Sequence, residues 1–266
     1  MNNLTFKKTI KMKKIFTYLM ATIALILVSF GAMAQGGLTP LVESTHEYNV
    51  TAESSGNTLA WSVLEGAAGT EYTINSATST ETVNITWNIA GTYTLQFSEE
   101  NGNTCVTLKQ ATVVVSANTF DVNITNPTEI CNAKDGTINP TGDATTSITF
   151  TVDMTTAYAS WSPNWEITFT LTPAGSATIA NISSSVGTPS ENTGVYTITG
   201  VSSTSGDGTV DITMDVTGDA FTLQTVALAI TSAKELDYDT PDVDSDDWLA
   251  TQTINALPST SEITTD

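Results

Sequence analysis

The side chains able to do chemistry are few in this 266-residue chain, and they stand apart. His46 is the single imidazole. It sits in Ser44-Thr45-His46-Glu47, a stretch expected to be solvated, and any serine-nucleophile arrangement would depend on it alone. Arg is absent, so no guanidinium is available to clamp an oxyanion or a phosphate. There is no His pair, no Cys-His set and no glycine-rich loop opening a helix. Carboxylates are plentiful, and two of them at the right separation in space would suffice for glycoside hydrolysis. Apart from that reading, the inventory is that of a protein without catalysis.

Three further groups have ligand chemistry. Asp237, Asp239, Asp242, Asp244 and Asp246 crowd one segment before Trp248, with Asp247 among them. No cofactor is expected, with Ca²⁺ as the candidate, since oxygen-rich sequence of this kind can hold it. Asp242, Asp244 and Asp246 fit the first three positions of a calcium loop. Asp247 then stands where glycine belongs and Thr253 where the bidentate Glu belongs, so the motif breaks. The plain alternative is a solvated, self-repelling linker. Cys105 and Cys131 are the only cysteines, and an even count in an exported chain reads as a disulfide. Closing a loop of about 26 residues would add roughly 3–4 kcal/mol in the chain-entropy account. Trp161-Ser162-Pro163-Asn164-Trp165 could form a sugar-stacking surface beside Tyr158. Trp165 is in phase with Ile167 and Phe169 and belongs to a core. Trp161 is left in the loop as the glycan contact.

The elements that position these groups start with a leader. Lys7, Lys8, Lys11, Lys13 and Lys14 precede an apolar run from Ile15 to Phe30 and the small-residue exit Ala32-Met33-Ala34. A basic region, an apolar core and such an exit make a secretory signal peptide over 1–34, cleaved before Gln35 by the Sec route. No later stretch is long and apolar enough to span a bilayer as a helix. Removing the leader leaves three Lys against 28 Asp and Glu, a net charge of −25. Nucleic acid and anionic membrane surfaces are thereby excluded as partners.

The remaining chain reads as all-β: two antiparallel immunoglobulin-like sandwiches over 35–117 and 118–235, then an acidic segment over 236–266. The clearest pattern is Thr82–Phe97. Val83, Ile85, Trp87 and Ile89 alternate with polar residues, and after Ala90-Gly91 the alternation resumes with Tyr93, Leu95 and Phe97. Strand side chains point to opposite faces in turn, so this predicts a hairpin with one buried face. Short strands around Tyr48, Trp61, Tyr72, Val106 and Val113 complete a first sandwich, with Trp61 and Trp87 as core plugs. Trp61-Ser62-Val63, Val83 to Trp87, Gly91, Tyr93, Leu95, Gly102 and Cys105 resemble the PKD-like, immunoglobulin-like repeats of secreted Bacteroidetes surface proteins. The Trp-Asp-Phe-Gly-Asp-Gly type motif of true PKD domains is missing, with Ser62-Val63-Leu64-Glu65-Gly66 in its place. The resemblance implies adhesion, spacing or assembly outside the cell.

In the second domain Ile148, Phe150 and Val152, then Trp165 to Leu171, then Val210 to Val216, alternate cleanly between glycine-rich turns. In the tail, Trp248, Leu249, Ile254, Leu257 and Ile263 suggest an added edge strand or a docking segment. The expected function is a secreted or cell-surface structural or adhesive protein. Its partners would be other surface or matrix proteins, or glycans.

Overall fold

The computed structural model describes residues 37–132, 142–158, 161–203 and 207–258. The expected leader and its cleavage point lie outside them, as do residues 259–266. Among the described residues there is no helix; sixteen strands form four sheets.

The first unit contains β1 (Thr45–Asn49), β2 (Thr58–Val63), β3 (Tyr72–Ile74), β4 (Thr82–Trp87), β5 (Gly91–Glu100) and β6 (Val106–Val115). One sheet runs β1-β4-β3 and the other β2-β5-β6. Their inner faces meet in a core of Tyr48, Trp61, Trp87, Tyr93, Leu95 and Phe97 with neighbouring aliphatics. Each strand buries alternate residues because the pleat sends every second side chain inward. In β4, Val83, Ile85 and Trp87 are buried and Asn84 and Thr86 half-buried.

The hairpin expected over Thr82–Phe97 is not formed. β4 pairs with β1 and β3, while β5 pairs with β2 and β6. The chain crosses from one sheet to the other at Asn88–Ala90, leaving Ile89 exposed. Alternation reports a buried face and not a pairing partner. Two strands facing each other across a core carry the same signature as two strands side by side. Trp87 sits at the centre of that core. Its indole N–H donates to the Tyr48 hydroxyl at 2.9 Å, and Tyr93 lies against its ring at 4.9 Å between centroids.

The second unit contains β7 (Asp121–Thr125), β8 (Ile130–Cys131), β9 (Asp143–Thr155), β10 (Asn164–Ala174), β11 (Thr178–Ser184), β12 (Ser190–Asn192), β13 (Val195–Ser202), β14 (Asp207–Asp219), β15 (Gln224–Glu235) and β16 (Leu249–Asn255). A six-stranded sheet β12-β13-β10-β15-β16-β8 faces a four-stranded sheet β11-β14-β9-β7. Trp165, Phe150, Phe169 and Phe120 are fully buried between them. β9 and β14 pair over their whole length, from Asp207 opposite Thr155 to Asp219 opposite Asp143. On their outer face Thr145 bonds Thr217 and Thr149 bonds Thr213. Gly175 turns the chain between β10 and β11 at φ +79°, where a side chain would be strained and would press on the Leu223 carbonyl.

β16 is integral to this unit, between β15 and β8. Its pairing with β8 is parallel, the exception among the otherwise antiparallel strand pairs of the described residues. Gln252, Ile254 and Ala250 point inward, so the segment after the aspartates is neither a detached linker nor an outermost strand.

Candidate functional site

The acidic segment is where the two units meet. β15 ends in Glu235, whose carboxylate is fully buried. It accepts from the Asp237 N–H at 2.6 Å, the Tyr238 N–H at 3.0 Å and the Thr240 hydroxyl at 3.2 Å. A carboxylate serving its own following backbone forces a tight turn. Burial pushes the Glu235 pKa up, and the two amides and the Thr240 hydroxyl pull against it.

That turn delivers Tyr238 to the first unit. The Thr45 N–H donates to the Tyr238 carbonyl at 2.8 Å. The Tyr238 ring stacks on His46 at 4.3 Å between centroids and 22° between planes. His46 is 1% exposed, against the expectation that it is solvated. The amphipathic pattern of β1 accounts for this, since His46 shares the inward side with Tyr48. The Ser44 hydroxyl donates to the Leu41 carbonyl at 2.6 Å, so it accepts from His46 Nε2–H at 2.8 Å, while Nδ1 has no partner. Burial lowers the His46 pKa to about 4. The ring is therefore neutral at physiological pH. Ser44 is itself fully buried with its proton committed to a carbonyl, so the pair is joined in the interior and faces no substrate.

Further along, Asp242 is 8% exposed and acts as a second clamp. Its carboxylate accepts from the Val122 N–H at 2.9 Å, the Trp248 indole N–H at 2.9 Å and the Asp244 N–H at 3.1 Å. Desolvation raises its pKa to about 6, against those three donors and helped by the nearby charge of Asp121. Asp121, Asp242 and Asp244 bring carboxylate oxygens within 4.8 Å of one another. These are the residues that could hold a cation. Three carboxylate oxygens would supply part of the six to eight oxygen ligands calcium takes, and the Asp242 carboxylate is also held by three donors. Asp237, Asp239 and Asp246 are outside the group. Asp237 serves the Glu235 turn, Asp239 pairs with Lys234 at 2.8 Å, and the Asp246 N–H donates to Asp244.

The expected disulfide is not present: Cys105 and Cys131 are free and exposed. Cys105 lies just before β6, whose ten residues carry the chain about 33 Å toward the junction. Cys131 closes β8, next to Asn132, whose amide donates to the Asp219 carbonyl. Asp219 pairs with Asp143, at the end of β9 remote from Asp121 and the junction. The two thiols stand at opposite ends, far beyond the roughly 7 Å between Cα atoms that a disulfide tolerates. Loop length in sequence could not reveal the strand directions.

Trp161 is half-buried and packs edge-on to Phe120, with its N–H donating to the Tyr158 carbonyl. The Tyr158 hydroxyl reaches the Ala117 carbonyl at 3.4 Å. The Trp161 ring packs against the core of the second unit.

One feature left no trace in the sequence pattern. A cavity of about 210 Å³ opens between β1 and β6 in the first unit, lined by Tyr48, Val50, Trp61, Phe97, Lys109 and Ala111. Leu38–Val42 covers only one end of it. There the Val114 N–H donates to the Leu38 carbonyl and the Ser116 N–H to the Pro40 carbonyl, with Leu41 parallel to Ser116 and fully buried. These bonds show that even-numbered residues of β6 turn their N–H away from β5. Toward Val106 the same edge meets no strand among the described residues. Val106 and Leu108, on the outer face there, are each 54% exposed.

No family profile matches the chain, and no curated protein is similar enough in sequence to match. Solved structures resemble it loosely. The fibronectin(III)-like modules of Clostridium thermocellum CbhA align at 11% identity over 86% of this chain and 96% of that one, with a TM-score of 0.30. A mutant of the enterotoxigenic E. coli CFA/I adhesin CfaE aligns at 9% identity over 68% of this chain and 65% of that one, with a TM-score of 0.35. The collagen-binding domain of the Erysipelothrix rhusiopathiae surface protein RspB aligns at 8% identity over 80% of this chain and 82% of that one, with a TM-score of 0.28. Scores of this size fix neither a topology nor a partner.

Proposed function

We propose that this chain is an exported structural or adhesive protein of the bacterial surface or its matrix, working by contact and without catalysis. The observation that supports this best is the free edge of β6 beside an open apolar cavity, with Val106 and Leu108 exposed along it. Such an edge is a template for another strand. The groups that an enzyme would need are engaged elsewhere. His46, Ser44, Glu235 and Asp242 are buried and hold the junction together. A glycan-binding role would rest on Trp161 and Tyr158, and a hydrolase on two free facing carboxylates; the geometry favours neither.

The test is attachment of the mature protein, coated on beads, to matrix-covered surfaces and to cells. Replacing Val106 and Leu108 together with Lys is expected to abolish attachment while leaving the thermal midpoint within a few degrees, since both side chains already face water. Undiminished attachment by the double variant refutes the reading. Hydrolysis of a polymeric sugar by the parent protein would refute the absence of catalysis.

A further inference from the structure

The kind of partner that the β6 edge takes can be argued further, on the reading that β6 is a contact surface. We infer that the edge receives an extended strand of a different protein, one that puts a large apolar side chain into the cavity and, two residues along on the same face, a carboxylate on Lys109.

Backbone, shape and charge each contribute. From Val106 to Thr112 the N–H groups of the even-numbered residues point away from β5 and meet no partner among the described residues. A strand laid along them exchanges hydrogen bonds with the even-numbered residues. Its residues opposite the odd-numbered ones turn their side chains to the same inner face as Lys109 and Ala111.

The cavity of about 210 Å³ opens beside Ala111, with Tyr48, Trp61 and Phe97 in its walls. Trp61 and Phe97 lie 4.9 Å apart between centroids and are both buried. An apolar cavity of about 150 Å³ takes a benzene ring, so this one admits a Phe side chain standing opposite Ala111. Aromatic walls favour a ring there over an aliphatic chain.

Lys109 lines the same cavity and is exposed, opposite Phe97 on the inward side of β6. No carboxylate lies within ion-pair distance of it among the described residues, in a chain with 28 acidic residues. On an added strand, the residue opposite Lys109 stands two positions from the residue opposite Ala111, and the pleat puts both on one face. An acidic residue there meets the ammonium while the apolar one fills the cavity.

The same charge argues against a second copy. Two β6 edges paired antiparallel over Val106–Thr112 share a centre at or beside Lys109, which brings the two ammonium groups together. A Lys on an edge strand is a device against such self-pairing. The chain's net charge of −20 also holds copies apart, and it limits the partner to one carboxylate in an otherwise uncharged or basic strand.

The probe is the peptide Thr-Val-Thr-Phe-Thr-Glu-Thr-Val-Thr, capped at both ends and titrated into the ¹⁵N-labelled mature protein. Saturable NMR shifts are expected at Val106, Leu108, Gln110 and Thr112, and solvent exchange of those four amides should slow. A peptide with the Glu moved next to the Phe carries the two on opposite faces. It should bind roughly tenfold more weakly, as should the original peptide to Lys109→Glu. A peptide with Lys in place of Glu should bind Lys109→Glu as the original binds the parent, a rescue that a folding defect would not show. Absence of shifts at the four amides, equal binding of the first two peptides, or 3-phenylpropionate binding as tightly as the original peptide overturns the inference. If Lys109→Glu attaches to surfaces undiminished while the Val106 and Leu108 double variant does not, the contact reading stands and the partner's chemistry is wrong. If the double variant attaches as well as the parent, the contact reading itself fails.

Discussion

Replacing His46 with Phe isolates the electrostatics of the junction. Phe keeps a flat ring for Tyr238 to stack on at 4.3 Å and removes both ring nitrogens. At pH 7.5 the substitution loses the Nε2–H bond to Ser44 but also removes a buried nitrogen without a partner. Each is worth about 1 kcal/mol, so the proteins should differ by no more than about that amount. Acid separates them. The His46 pKa falls from an ordinary 6.5 to about 4 in the fold, so between those values the unfolded chain binds the extra proton. The contribution of a neutral His46 is fully present above pH 6.5 and is lost as pH falls through 4. It amounts to about 2 kcal/mol lost at pH 5 and about 3 kcal/mol at pH 4. Every other titrating group is common to both proteins and cancels in the difference. Urea denaturation followed by tryptophan fluorescence, on the transition that unfolds the first unit, should show His46→Phe roughly level at pH 7.5 and about 2 kcal/mol more stable at pH 5. A difference that stays flat from pH 7.5 to 4 refutes a neutral, desolvated His46.

The other predictions concern the interior and the thiols. The Asp242 carboxyl titrates in the opposite sense: its folded pKa of about 6 exceeds the ordinary 3.8, so its term favours the fold below pH 3.8 and is lost as pH rises through 6. A carboxyl-carbon NMR titration should place its midpoint near 6, and a midpoint at the ordinary value would refute the burial. Asp242→Ala leaves the Val122, Trp248 and Asp244 N–H groups without their acceptor and should destabilise the second unit by about 2 kcal/mol, read from its urea transition. Trp87→Phe leaves the buried Tyr48 hydroxyl without its donor and opens space in the first core, for a loss of about 2 kcal/mol. Both Cys105 and Cys131 should react with a thiol reagent in the native, unreduced protein, and failure of both to react would show a bond that the strand directions forbid.

The strands were legible because burial on one face writes a period of two into the sequence. Val83, Ile85 and Trp87, or Ile148, Phe150 and Val152, announce themselves in this way. Which strand lies beside which was not legible, since pairing leaves no mark on alternation; β4 and β5 are the instance, adjacent in sequence and divided between sheets. The same gap undid the disulfide, where the directions of β6 and β8 decide and the count of intervening residues does not. The aspartates were visible as a cluster, but their roles were not. Asp242 turns inward to Val122, 120 residues away in sequence, while Asp239 turns outward to the nearby Lys234. His46 was misplaced because its polar type outweighed its position. It stands two residues before Tyr48 on the inward side of β1, and position governed.

The place of β16 sets an order of events. Its partner β8 ends at Cys131 and pairs with Asn255, so the six-stranded sheet joins segments more than a hundred residues apart. As the chain emerges from its N-terminus, everything the first sandwich needs except its Tyr238 latch is present by Ser116. The second cannot be finished when β15 appears. Ala250 and Ile254 are still missing from its core, Gln252 has yet to bond the Thr128 carbonyl, and β15 shows a bare edge. Contacts this distant form late, because the intervening chain must first be gathered in. For that interval the second unit is half-open, with the twelve-residue edge of β15 unprotected against neighbouring chains. β16 thus acts as a timer, and the core of the second unit closes only when Leu249–Asn255 arrives.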